Sequence, residues 1–179
     1  MNMKFISTHH RPAIFLGMVS PTPLGSIWVA ISEKGLIAVQ IGGDQADFTK
    51  KWDQNHHHQI IFTPEKAASV IQQIAEYLSA KRSVFDIPID WDILKPFQQL
   101  TLKATYSIPY GQTRTYAEIA RQIGKPYAAR AVGNAEATNP MPLVIPCHRV
   151  IGTDGKLHGY GAPGGSETKA WLLRLEGAL

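Results

Sequence analysis

Residues 114–138, RTYAEIARQIGKPYAARAVGNAEAT, constrain the fold more than any other stretch. Thr115 and Glu118 have the spacing of a capping box, in which a hydroxyl and a carboxylate three residues apart satisfy each other's backbone amides. Ile119 and Ile123 give this helix an inner side, and Gly124 is placed to end it in a left-handed conformation. A second short segment, AARAVGNAEAT, follows across KPY. Two short helices about a tight turn are the outline of a helix-turn-helix. The second helix is almost bare: Ala128, Ala129, Ala131, Gly133, Ala135 and Ala137 surround Arg130. Long polar side chains suited to reading base edges in the major groove are mostly absent. A slim helix with one arginine suits close backbone approach, or a narrow groove with Arg130 entering the duplex. Tight packing against a neighbouring helix predicts the same alanines. The distribution of charge tilts the choice towards nucleic acid. Residues 95–151 hold 7 Lys/Arg against 2 Asp/Glu, whereas residues 1–94 hold 8 against 9 and residues 152–179 hold 3 against 3. The whole net charge of +4 therefore derives from the segment that contains the two helices, a field that suits a polyanion.

The N-terminal half is of a different kind. AIFLGMV reads as a strand rather than a secretory signal. SIWVAIS and LIAVQIG flank EKG and predict a hairpin in which Gly35 supplies a positive φ. TPEKAASVIQQIAEYLSAKR predicts a helix with Thr63 as N-cap and Pro64 in the first position, and Ala67, Val70, Ile71, Ile74, Tyr77 and Leu78 on one face. VFDIPIDW predicts an edge strand, because Pro88 cannot donate to a ladder. The polar connection GGDQADFTKKWDQNHHHQ predicts an exposed, partly helical loop. Its run His56–His58 lacks carboxylates or thiols at ligand spacing and reads as solvated rather than metal-binding. PFQQLTLKATYSI predicts a further helix. There is no internal repeat, and 179 residues allow one domain or two small ones. The expected fold is α/β: a small domain with antiparallel strands at residues 1–92, then a mainly helical domain at 93–179.

Candidate chemistry centres on IPCHRVIG, which holds the single cysteine, Cys147. One cysteine excludes an internal disulfide and any cysteine metal cluster, and it fits the reducing cytoplasm. No apolar run reaches membrane-spanning length. Pro140, Pro142 and Pro146 stiffen the approach, and Leu143–Pro146 predict a short apolar strand ending at the thiol. A thiolate attacks far better than a thiol, and a neighbouring histidine or arginine promotes it. His148 could take the thiol proton directly or through a water if a carboxylate orients its other nitrogen; Glu176, in SETKAWLLRLEG, is the candidate. Asn139 before proline has a turn-capping reading and a functional one, about equally supported. His158 reads as a surface residue near the GYGAPGG loop.

These motifs together, IPCHRV preceded by NPMPLV and YAEIARQIGKPYAARAVGNA and followed by GYGAPGG and WLLRLEG, resemble the O6-alkylguanine-DNA alkyltransferases. The resemblance is close over about residues 93–179 and looser over TPLGSIWVAISEKGL. It implies a ribonuclease H-like first domain and a winged-helix-like second one. It implies a monomer that transfers the alkyl group, chiefly methyl, from O6 of guanine in duplex DNA to its own cysteine after flipping the base, once per molecule. O4-alkylthymine is the second candidate lesion, and no metal or organic cofactor is implied. By motif position, Cys147 is the acceptor, His148 the water-linked base and Glu176 its orienting carboxylate. Asn139 holds the turn before the cysteine. Arg130 fills the gap left by the extruded base, and Tyr116 contacts the 3′ phosphate and donates to the base. Thr115 and Ala129 join them at the DNA, in the minor groove, while Met141, Pro142, Val150 and Tyr160 line the alkylguanine pocket. GYGAPGGSETKAW is longer than many members' glycine loops, which bears on the alkyl size admitted. The sequence leaves two rivals: a lesion-binding module with an inert Cys147, and a thiol hydrolase with a Cys-His pair.

Overall fold

Nearly continuous apolar runs, rather than alternating ones, mark strands buried on both faces, and the first half is built from them. The structure is a computed structural model that describes residues 12–53 and 58–179. Strands β1 (Ala13–Val19), β2 (Ile27–Ser32) and β3 (Gly35–Ile41) form an antiparallel meander. Gly35 closes the β2–β3 turn with φ +146°, and the hairpin is as expected. Helix α1 (Gln45–Asp53) then carries the chain to β4 (Gln59–Phe62), which lies parallel to β1. The sheet order is β3-β2-β1-β4, so the sheet is mixed rather than wholly antiparallel. The reason is connectivity: the crossover through α1 returns the chain to the β1 edge running in β1's own direction. Of the histidine run, His56 and His57 lie outside the described residues.

Helix α2 (Pro64–Leu78) covers one face of the sheet with Ala67, Val70, Ile74, Tyr77 and Leu78. Phe48 of α1 packs on the other face with Leu16, Trp28 and Ala38. The α2 approach is close: a Cβ at Gly17 would lie 2.5 Å from the Ala67 Cβ, so only glycine fits there. VFDIPIDW does not form the predicted edge strand. It crosses Leu36 through one isolated bridge at Ile89, and the Asp86 backbone is bonded at both N–H and C=O by the Gln73 side chain instead. Those backbone groups are satisfied without a ladder; Pro88 has no N–H to donate, and its carbonyl accepts from the Leu36 N–H at 2.8 Å.

The second half packs α3 (Pro96–Tyr106), α4 (Tyr116–Gln122) and α5 (Ala129–Ala137) around Ile108, Ile119, Val132 and Val150. The capping box forms as predicted: Thr115 Oγ1 accepts from the Glu118 N–H, and Glu118 Oε2 accepts from the Thr115 N–H at 2.6 Å. Gly124, with φ +71°, ends α4. Short strands β5 (Arg114–Thr115) and β6 (Val150–Ile151) pair in parallel, and α6 (Ser166–Leu175) closes the described chain. The largest core joins the two halves: Met141, Leu143, Val144, Ile145 and Leu172 pack with Ile27, Leu36 and the inner face of α2.

Candidate active site

The segment leading to the thiol is a turn, not the predicted strand. Leu143 has φ +72°, Ile145 N–H donates to the Met141 carbonyl at 2.9 Å, and Cys147 opens a 3-10 turn, Cys147–Arg149. Three prolines leave too few amide donors for a ladder. Asn139 supplies what they lack. Its Oδ1 accepts from Met141 N–H at 3.0 Å, while its Nδ2 donates to the Ile145 carbonyl at 2.9 Å and lies 3.2 Å from Cys147 Sγ. The turn-capping and thiol-directed readings of Asn139 are thus one arrangement.

Cys147 is 7% exposed. Burial pushes its thiol up to about 12, with Glu136 adding to the rise and the Asn139 hydrogen bond and Lys169 opposing it. At neutral pH the resting group is therefore the thiol, not the thiolate. Deprotonation has to accompany the reaction, which puts the weight on a base.

His148, fully buried, follows in the same 3-10 turn. Its Nε2 is 2.9 Å from Glu176 Oε1, and Arg149 holds both Glu176 oxygens, Nε to Oε2 and Nη2 to Oε1, each at 2.9 Å. Tyr77 of α2 donates to Glu176 Oε1 at 2.5 Å. Burial alone would raise the Glu176 carboxyl, but the hydrogen bonds from His148, Arg149 and Tyr77 outweigh it and hold it at about 2. Burial lowers the pKa of His148, against the pull of Glu176. A neutral ring whose Nε2–H faces a carboxylate leaves Nδ1 as an acceptor, and that atom has no partner among the described residues. An ionised, clamped carboxylate behind a neutral imidazole with a free nitrogen can take a proton and stabilise the cation formed. The sequence reading missed Tyr77 and Arg149 here. Arg149 stood in the motif, whereas Tyr77 looked like one more core position of α2.

The site opens through α4 and α5. A cleft of about 1000 Å³ runs between them and the 152–161 loop, with Arg130, Ala129, Tyr116 and His158 on its walls. A separate cavity of about 30 Å³ is lined by Cys147, and Tyr116, Gly133, Ala137 and Tyr160 border both. The small residues Gly133 and Ala137 of α5 thus stand between the cleft and the cavity at the sulfur. Burial also raises the hydroxyls of Tyr116 and Tyr160 above their ordinary range, with the nearby acids and thiol adding to the rise. Lys169 borders the inner cavity, donates to the Val150 and Leu157 carbonyls, and is lowered by burial to about 8.

Not every expected residue is on these walls. Met141 and Val150 are wholly buried, each in an apolar core, and half-buried Pro142 borders neither space. The turn that replaces the predicted strand leaves Met141 in the core it shares with α2, and Val150 is taken up by pairing with β5. Thr115 is engaged in capping α4 and lies off the cleft. His158 stands in the cleft wall, with its ring centroid 6.1 Å from that of Tyr116.

Comparison with known proteins decides the family. The profile described as "6-O-methylguanine DNA methyltransferase, DNA binding domain" matches residues 96–178, and "6-O-methylguanine DNA methyltransferase, ribonuclease-like domain" matches residues 18–91. The methylated-DNA–protein-cysteine methyltransferase of Methanosarcina barkeri (strain Fusaro / DSM 804) is 43% identical over 157 residues, covering 87% of this chain and 92% of that protein. The chain belongs to this methyltransferase family. The constitutive member from Bacillus subtilis (strain 168) is 39% identical over 155 residues, 87% of this chain and 91% of that one. Among solved members, the Mycobacterium tuberculosis O6-methylguanine methyltransferase superposes with TM-score 0.76 at 36% identity, covering 92% of this chain and 93% of that one. The M. tuberculosis protein in complex with DNA gives 0.74 at 35%, with the same coverage.

Proposed function

We infer that the protein repairs alkylated DNA by direct reversal, transferring the alkyl group, chiefly methyl, from O6 of guanine in duplex DNA to Cys147 Sγ. The observation that carries this reading is the cleft beside Arg130 and, sharing Tyr116, Gly133, Ala137 and Tyr160 with it as walls, the small cavity lined by a sulfur that Asn139 holds. Relatives named for cysteine methyl transfer, and a solved relative in complex with DNA, support it.

The chemistry follows from the geometry. The lesion leaves the stack, at a cost of roughly a few kcal/mol, and Arg130 occupies its place. Bare α5 approaches the duplex through the minor groove. The sulfur attacks the saturated carbon on O6: the S–C bond forms, the C–O6 bond breaks and its electron pair stays on the base. The thiol proton passes to His148 Nδ1, through a water where the two do not touch, while Glu176 stabilises the imidazolium. Guanine takes up one proton in exchange, with Tyr116 placed to donate. The thioether product is inert to water, so each molecule acts once.

Cys147 is the acceptor, His148 the base, and Glu176 and Asn139 position them; Arg130, Tyr116 and Ala129 meet the DNA, and Tyr160 borders the alkyl pocket. Two domains, 1–92 and 93–179, fit the two profile matches, with the first holding Glu176 in place through Tyr77. Among the described residues no helix is long and apolar enough to cross a membrane, and a single oxidisable thiol suits a monomer in the reducing cytoplasm. The test is a duplex with a labelled O6-methyl group, presented to wild type and to Cys147→Ala. Label on the wild type alone, with lesion binding retained by the variant, supports transfer. Equal handling of the lesion by both would make the protein a binding module.

A further inference from the structure

The cavity at Cys147 has a wall that methyl transfer does not require. Glu136, next to last in α5, is 6% exposed and borders this cavity together with Cys147, Tyr160 and Lys169. Its Oε1 lies 2.5 Å from the Thr105 hydroxyl, whereas its buried Oε2 has no hydrogen-bond partner among the described residues. An unmade bond at a buried carboxyl oxygen is costly, and a pocket meant only for methyl would be better walled by an apolar side chain.

The protonation state can be read from the hydrogen-bond count. The Thr105 hydroxyl faces two oxygens, Glu136 Oε1 and the Thr101 carbonyl at 3.2 Å, with one hydrogen to give. The count balances when Glu136 itself carries a proton. Burial acts the same way, pushing the carboxyl up to about 8 against the Thr105 hydrogen bond and the Lys169 charge. Lys169, whose charge opposes this rise, is held by the Val150 and Leu157 carbonyls. At neutral pH Glu136, on the wall of the cavity that Cys147 also lines, therefore keeps one uncharged carboxyl oxygen with no hydrogen-bond partner among the described residues. Gly159 and Gly161 also line this cavity without side chains of their own, and Tyr160 between them lines it too.

We propose that Glu136 is a specificity-determining residue of the alkyl pocket, whose free carboxyl oxygen accepts a hydrogen bond from the hydroxyl of a hydroxyalkyl adduct such as O6-(2-hydroxyethyl)guanine. This rests on the transfer reaction proposed above. The protein then favours hydroxyethyl over n-propyl, a substituent of the same heavy-atom count that can only be repelled by the polar wall.

The test measures second-order rates of transfer from duplexes holding O6-methyl-, O6-propyl- or O6-(2-hydroxyethyl)guanine to wild type, Glu136→Gln and Glu136→Met. The expected wild-type rate ratio of hydroxyethyl to propyl is above one and falls about three- to tenfold in Glu136→Met, the worth of one hydrogen bond. Glu136→Gln keeps the ratio, because its amide can donate to Thr105 while its oxygen accepts from the adduct. A wild-type ratio of one or less overturns the proposal without needing any variant. So does an unchanged ratio in Glu136→Met, or a loss in Glu136→Gln as large as in Glu136→Met. Absence of transfer from O6-methylguanine to wild type would instead refute the transfer reaction itself.

Discussion

Replacing Glu176 with glutamine removes the charge on which three buried side chains converge. The folded-state pKa of about 2, against an ordinary 4.5, means that the ionised form is favoured in the fold. Its contribution is fully present above pH 4.5 and is lost as pH falls through 2. The difference of about 2.5 units corresponds to roughly 3 kcal/mol at neutral pH. Glu176→Gln also leaves Arg149, 6% exposed, without its counter-charge, and breaking a buried pair in this way costs about 3–5 kcal/mol. The expected result in urea unfolding at pH 7 is a loss within that range. At pH 3.5 the unfolded chain is already largely protonated, so the gap between wild type and variant narrows by about 1.4 kcal/mol. A loss below about 1 kcal/mol at pH 7, or a gap independent of pH, would refute the clamped carboxylate and its role behind His148.

Other outcomes follow from the same structure. Labelling of Cys147 by iodoacetamide should be slow at pH 7 and rise about tenfold per pH unit up to pH 9; a plateau by pH 8 would contradict a thiol raised to about 12. Asn139→Ala frees the Met141 amide, the Ile145 carbonyl and the sulfur, so it should cost about 1–3 kcal/mol of stability and slow methyl transfer; unchanged transfer would remove Asn139 from the site. Glu136 titrates in the opposite sense to Glu176: raised from 4.5 to about 8, it stabilises the fold fully below pH 4.5 and loses that contribution by pH 8. The stability of wild type relative to Glu136→Gln should therefore decline across this window by at most about 1.4 kcal/mol per pH unit, as read by denaturant midpoints of the two proteins; a difference that does not change with pH would contradict the raised carboxyl.

Local signals were the legible part. The Thr115–Glu118 box and Gly124 bounded α4, Gly35 marked the β2–β3 turn, and the apolar face of α2 is the face that packs. These depend on neighbours within a few residues. The misreadings share another cause. Leu143–Pro146 is apolar enough for a strand, but an asparagine side chain takes the backbone groups that a ladder would need. VFDIPIDW fails as a strand because Gln73 does the same to Asp86. The parallel β4 pairing depends on where a crossover lands, which no local pattern records. At the site, Cys147, His148 and Glu176 were named from the thiol's neighbours and the last helix, with their roles implied by the motif resemblance, and the structure brings His148 and Glu176 into contact. Tyr77 and Glu136 were not legible as site residues: one looked like core, the other like a polar residue on an alanine helix, and only the fold brings them to the thiol's surroundings.

The central claim is that Cys147 is consumed by the lesion, and the most direct measurement is the intact mass of the protein after incubation with a duplex containing O6-methylguanine, followed by peptide mapping. The account predicts a gain of one methyl-for-hydrogen increment, located on the Cys147 side chain and absent with undamaged duplex. An unchanged mass while the lesion duplex is bound would contradict transfer, and an unchanged mass with no binding would contradict DNA repair altogether.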